Sequence, residues 1–348
     1  LFTITDINDT TFFGYVGDIV VAMDHTIFVS DPTTRKIHLF KNNGDFIWSL
    51  GGLGAGPGEF RRISSMSLLA PNILQVVDIS LARITTFKLQ DGQWGLSEIS
   101  EIPLNTDIGL DFGAFVFKRF YYFKDGYIAL FESTISSLDT SDFIKECFVL
   151  YGRDFTPLHT TTPICFNKLK LITIRSSDSS VYTVSAMPIP KGYETLHDIT
   201  SGGHIISTYT VNTVIKIQHM NQSELIELEY ISEHIPITSE HKELLVAGAF
   251  PNEGSSHFAR NQVIDSIPSY LGYAEQLLTD DKDQIWILAR TNESELRWLL
   301  YDFSGKYVGE TNHPGGTFKL IKENKIYVSH NSNDAISGFS VYSLSNSP

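Results

Sequence analysis

Two adjacent guanidinium side chains, Arg61 and Arg62, directly follow the run Gly51-Gly52-Leu53-Gly54-Ala55-Gly56-Pro57-Gly58-Glu59-Phe60. A guanidinium can grip a carboxylate or a phosphate through paired N–H donors, so Phe60, Arg61 and Arg62 are candidate ligand-binding residues. The competing reading is a surface ion pair in an acidic chain. The glycine run itself satisfies neither Gly-x-Gly-x-x-Gly nor the Walker pattern, and a strand-to-strand link lacks the helix N-terminus that phosphate loops use. Its glycines instead permit positive φ and close approach of chain segments.

Histidines offer a second chemistry. His197, His204, His219, His234 and His241 are five of the 11 and fall within 45 residues. None forms His-Glu-x-x-His, so His197 and His204 enter as candidate ligand-binding residues and no metal ligand is assigned. Asp280, Asp281 and Asp283 form an acidic turn before a strand, without the EF-hand spacing or its terminal Glu. No Gly-x-Ser-x-Gly elbow occurs, and no catalytic residue is named. No cofactor is expected; a calcium-like divalent metal is the one left open. The aromatic stretch Phe115, Phe117, Phe120, Tyr121, Tyr122 and Phe123 could stack on sugar rings, but its near-alternation fits a strand buried between neighbouring sheets.

The elements that must position these residues repeat. Ile27-Phe28-Val29-Ser30-Asp31 is followed by Lys36-Ile37-His38-Leu39-Phe40, a turn at Asn43-Gly44, and Phe46-Ile47-Trp48-Ser49-Leu50. The pattern recurs 47 residues on, from Asp31 to Asp78, with Leu74-Gln75-Val76-Val77-Asp78, Arg83-Ile84-Thr85-Thr86-Phe87 and Asp91-Gly92. Each unit reads as short strands joined by tight hairpins, with a further strand leading in: one four-stranded propeller blade. Weaker copies around 126–152, 203–217, 284–305 and 325–342 bring the count to six. The expected architecture is all-β, one propeller over 1–348, with blades near 16–50, 64–100, 115–160, 168–230, 270–310 and 316–345. Strand-like segments at Leu171–Ile174 and Val181–Val184 leave a seventh blade as the alternative. Thr238 to Leu245 carries an N-cap signal and helical spacing, so a partly helical insertion is expected near 233–268. Phe2-Thr3-Ile4-Thr5 alternates like a strand and is expected to clasp the last blade, closing the ring. Asp31 and Asp78 occupy matching positions, as turn-stabilising carboxylates do.

The run Gly54-Ala55-Gly56-Pro57-Gly58-Glu59-Phe60 after a strand pair resembles the inter-blade connection of NHL repeats. The chain is still more similar to bacterial six-bladed β-propellers often found as exported or lipid-anchored products. The similarity is strong over 16–92 and weaker but in order beyond it. The resemblance implies the fold; for function it implies little, since some NHL-type propellers bind proteins or RNA and a few related propellers are lyases or lactonases.

Composition narrows the partners. A net charge of -14 argues against nucleic acid, which needs a basic stripe, and against anionic membranes. No apolar run approaches the roughly 18–20 residues of a spanning helix. The chain starts at Leu1 rather than Met, which fits the loss of a signal peptide or an arbitrary boundary. Cys147 and Cys165 are the two cysteines; free, partly buried thiols are favoured over a single surface disulfide. The expected function is a non-enzymatic binding module outside the bacterial cytoplasm, holding a peptide, glycan or protein at a rim or in the channel. The alternative is a metal-dependent hydrolase, lactonase or lyase with a divalent ion in the channel.

Overall fold

Alternation along one strand explains the architecture. In Ile27-Phe28-Val29, Ile27 and Val29 pack into one core with Phe339 and Val341, while Phe28 packs into another with Leu74 and Val76. Successive side chains point to opposite faces, so a strand apolar at every position must be covered on both sides. The computed structural model describes residues 2–8, 11–102, 115–123, 126–133, 143–158, 163–178, 181–189, 192–220, 224–249, 257–292, 295–331 and 337–344. It is a six-bladed β-propeller, and a separate apolar core lies between each blade and the next, from the first pair around to the sixth and first.

Blade 1 comprises Ile19–Val21, Ile27–Asp31, Lys36–Phe40 and Phe46–Gly51; blade 2 comprises Ser65–Ala70, Ile73–Asp78, Arg83–Gln90 and Gln93–Glu101. Blade 3 has five strands, Phe115–Phe123, Gly126–Ser133, Phe143–Tyr151, Ile164–Asp178 and Val181–Pro188. The segments around 171–174 and 181–184 therefore form neither a seventh blade nor the start of blade 4. The link after Tyr151 is long, so the fourth strand of blade 3 begins late and then runs on into an extra hairpin. Blade 4 starts only at Thr195–Ile199 and continues with His204–Tyr209, Val214–His219 and Leu225–Glu229. Blade 5 comprises Ala274–Thr279, Ile285–Arg290, Leu296–Tyr301 and Tyr307–Asn312.

Blade 6 takes three strands from the C-terminal part, Thr317–Lys322, Lys325–His330 and Gly338–Ser343, and its fourth from Phe2–Ile4. Phe2 faces Val341 and Ile4 faces Phe339 in antiparallel register, so the N-terminal strand is the clasp. Between blades 4 and 5, α1 (Ser239–Ala249) and α2 (His257–Ser266) pack around Ile235, Val246, Val263 and Ile267. Thr238 caps α1, its hydroxyl accepting the His241 N–H at 3.2 Å. Residues 250–256 of the insertion lie outside the described residues.

The cysteines are a correction. Cys147 and Cys165 face each other on neighbouring strands of blade 3 and form a disulfide, so neither is a free thiol. Their spacing of 18 residues hides this pairing, because the strand register that opposes them is set by the whole blade.

Candidate anion site in the central channel

Inner strands of several blades line a central cavity of about 240 Å³, and its polar wall holds Asp18, Arg119, Tyr121 and Lys319. Local backbone geometry delivers two of the charges. The inner strand of blade 3 slips register between Phe117 and Arg119, and that of blade 6 slips between Phe318 and Leu320. Each bulge adds one residue against the partner strand and so re-aims the side chains that follow.

Arg119 Nη2 donates to Asp18 Oδ1 at 2.8 Å, and the guanidinium carbon lies 5.4 Å from the centre of the Tyr121 ring. The other oxygen of Asp18 accepts the Met66 N–H at 3.0 Å, tying blade 1 to blade 2. Comparable ties stitch other inner strands. Asp198 accepts the Thr279 N–H at 2.6 Å, Gln276 accepts the Phe318 N–H at 3.3 Å, and Lys322 donates to the Val21 carbonyl at 2.7 Å. Lys319 has no such role: among the described residues it makes no hydrogen bond or ion pair. Burial lowers its ammonium below the usual lysine range; Asp18 opposes that shift and Arg119 adds to it.

Behind Tyr121 runs a relay of alternating groups. The Tyr121 hydroxyl is 3.2 Å from His197 Nε2, and His197 Nδ1 is 3.2 Å from Glu146 Oε2. His197 Nδ1 and Glu146 Oε2 are in close polar contact without hydrogen-bond geometry. Lys168 Nζ bridges Glu146 and Glu132 at 2.8 and 2.7 Å, and Lys118 reaches Glu132 at 2.6 Å. Burial works to raise the Glu146 carboxyl, but hydrogen bonds and charge from His197 and Lys168 outweigh it and hold the group low. Burial pushes the Tyr121 hydroxyl up to about 12, partly opposed by Arg119. Tyr121 is therefore a neutral donor at physiological pH.

His197 is thus one residue behind the channel wall. His204 belongs to another place, edge-on to His219 and to Phe303, each with ring centres 4.8 Å away. Burial and the His219 charge lower it, against the pull of Asp283. Phe60 is fully buried between blades 1 and 2. Gly51, at φ +86°, lets its ring in, because a Cβ there would lie 2.7 Å from the Phe60 ring. Arg61 and Arg62 have exposed side chains, and their backbone N–H groups donate to Asp78 Oδ2 at 2.7 and 3.1 Å. Asp31 does the same for Gly14 and Tyr15, 47 residues earlier. The five sequence-derived candidates accordingly scatter over the core, the rim and two ends of blade 4, and only His197 adjoins the channel.

Sequence reasoning missed Asp18, Arg119 and Lys319. The available signal was charge inside otherwise apolar strands, in Phe117-Lys118-Arg119-Phe120 and Phe318-Lys319-Leu320. Among the described residues no three His, Cys, Asp or Glu side chains converge as metal ligands. The acidic turn is also engaged: Asp280 accepts from Lys282, Gln284 and Trp286, and Asp283 accepts from Ser201. With Asp18 already paired and two cations beside it, the channel's donor set does not fit a divalent metal.

One solved structure agrees with this geometry at the level of fold. A member of the DUF4221 family from Bacteroides vulgatus superposes with a TM-score of 0.51 at 9% identity, over 98% of both chains. A Bacteroides fragilis protein described as exported gives a TM-score of 0.49 at 17% identity, over 94% of this chain and 83% of that one. A gluconolactonase of Xanthomonas campestris gives 0.40 at 10% identity, over 94% and 87%. At 9% identity the DUF4221 likeness is one of fold alone. No curated protein matches the sequence. Residues 6–232 match the family DUF5128, described as a 6-bladed beta-propeller, and the chain therefore belongs to that family.

Proposed function

We propose that this protein is a non-enzymatic binding module of the bacterial cell envelope whose central channel holds an anionic group, the carboxylate or phosphate of a small molecule or of an acidic peptide or glycan end. The observation that carries this reading is Lys319, a half-buried cation on the same wall as Arg119 whose ammonium makes no hydrogen bond or ion pair among the described residues. Partial burial disfavours a charge that has no ion pair, and an incoming anion offsets that cost. Arg119 adds donors in a planar fork suited to two oxygens. Ser65, Ser67 and Tyr121 line the same cavity and bring neutral hydroxyls to it. The Cys147–Cys165 disulfide supports an oxidising compartment such as the periplasm or exterior, since cytoplasmic thiols are kept reduced.

Melting in graded inorganic phosphate tests the reading. Phosphate at 100 times its Kd should add about 2.7 kcal/mol to the wild-type protein. Lys319→Met and Arg119→Met should each lose that gain. An equal gain in all three proteins would refer it to general salt effects and end the proposal.

A further inference from the structure

We infer that Lys319 is a nucleophilic amine that captures anionic aldehydes or keto acids as an imine inside the channel. This inference rests on the anion reading above and adds to it the chemical class of the ligand. The geometry that supports it is the combination of a recessed channel wall, a half-buried amine without an ion pair and a guanidinium on the same wall. A surface lysine keeps its ammonium hydrated and charged, and its amine form is scarce. Lys319 sits in a cavity of about 240 Å³ that it shares with Arg119, Asp18 and Tyr121. Burial and the Arg119 charge both shift the balance toward the neutral amine that attacks, against the pull of Asp18, while the ammonium form of the same side chain attracts the anion. Lysines become nucleophiles in this manner, through desolvation and an adjacent cation.

The cavity also supplies the other half of the reaction. Arg119 can hold the ligand's carboxylate while the carbonyl carbon faces Nζ. The amine nitrogen then bonds to the carbonyl carbon, giving a carbinolamine. Loss of the former carbonyl oxygen, together with the two amine protons, yields one water and the neutral imine. Nothing is oxidised or reduced, and hydrolysis reverses the capture. The Tyr121 hydroxyl lines the same wall and, by giving up its contact with His197, can turn to hydrogen-bond the departing oxygen.

The test uses the full chain with glyoxylate, an anionic aldehyde small enough for the cavity, and sodium cyanoborohydride to fix any imine. Peptide mass spectrometry then ranks the lysines by rate. Glyoxylate should modify Lys319 about tenfold faster than the exposed Lys41, in line with a desolvated amine. Glycolaldehyde, which has the same carbon skeleton without the charge, should modify Lys319 more slowly than glyoxylate does. Arg119→Met should bring the glyoxylate rate down to the glycolaldehyde rate. If both aldehydes modify Lys319 first and equally fast, the nucleophilic amine stands and the anion reading falls. If neither modifies Lys319 ahead of Lys41, the amine inference is overturned, and the phosphate melt still decides the anion reading by itself.

Discussion

Blades 1 and 2 are near copies, whereas blade 3 departs from them in almost every respect. In the copies, Asp31 and Asp78 end equivalent strands, are fully buried, and accept backbone N–H groups from the chain entering their own blade. In blade 3 the fourth strand is long, a fifth is added, a disulfide crosses the sheet, and ion pairs link Lys118, Glu132, Lys168 and Glu146 across its strands. Repetition therefore builds the ring, and the departures from repetition bring in the groups that can meet a ligand. Blade 3 supplies Arg119 and Tyr121, and blade 4 leans on it through His197.

The largest expected effect lies on the regular side. Asp78→Ala would strand the N–H groups of Arg61, Arg62 and Leu81 in a buried turn. With charge-assisted bonds worth roughly 1.5–3 kcal/mol each and partial relaxation, the loss should be about 4 kcal/mol in chemical unfolding. Asp31→Ala should match it within about 1 kcal/mol, because it serves the same role for Gly14, Tyr15, Thr33 and Thr34. A wide gap between the two would mean that the copies are equivalent in sequence but not in energetics. On the irregular side, Cys165→Ser opens a link spanning 18 residues. Chain-entropy reasoning gives about 3 kcal/mol for a loop of that size. No change on this substitution would make the disulfide an ornament of blade 3 rather than a support for its late fourth strand.

A pH scan separates the same two regions. Burial lowers the His38 imidazole in blade 1 to about 4, with Asp31 opposing and Lys36 adding to the shift. The unfolded chain then takes up a proton near its ordinary pKa of 6.5 while the folded chain does not. Stability is full above that pH, falls as pH drops from 6.5 toward 4, and levels off below, by up to about 3 kcal/mol in all. His38→Gln, which keeps a donor toward Ser49, should flatten that slope. An unchanged slope would move the acid-sensitive group elsewhere, with Glu146 and Glu132 in blade 3 as the next candidates, since both carboxyls are held low in the fold and lose stability on protonation.

Much of the fold was legible because a propeller repeats its instructions. The paired strands, the hairpin glycines and the doubled apolar faces each appear more than once, so a local ambiguity in one blade is corrected by the next. The clasp was legible too, from alternation in Phe2-Thr3-Ile4 and the need to close an edge. The channel site was not. Arg61 and Arg62 looked chemical because they are adjacent and unrepeated, yet the repeat uses only their backbone. Arg119 and Lys319 are 200 residues apart and reach one cavity through bulges, which carry no composition signal of their own. The cysteine pair failed for a related reason: opposition across strands depends on where a strand starts, and blade 3 starts its fourth strand late.

The smallest expected effect sharpens the comparison most. A side chain kept for the fold should cost stability when removed; one kept for a ligand should cost little or none. Lys319→Met preserves the stem's packing and deletes a partly buried charge that Asp18 offsets only at a distance, with no ion pair to it. Its replacement should therefore stabilise the protein without ligand by about 0.5–1 kcal/mol, the opposite sign to Asp78→Ala. Denaturant unfolding of both variants side by side reads this directly. A loss of 1 kcal/mol or more in Lys319→Met would assign the lysine to the architecture of blade 6, and the channel would lose its strongest claim to a ligand.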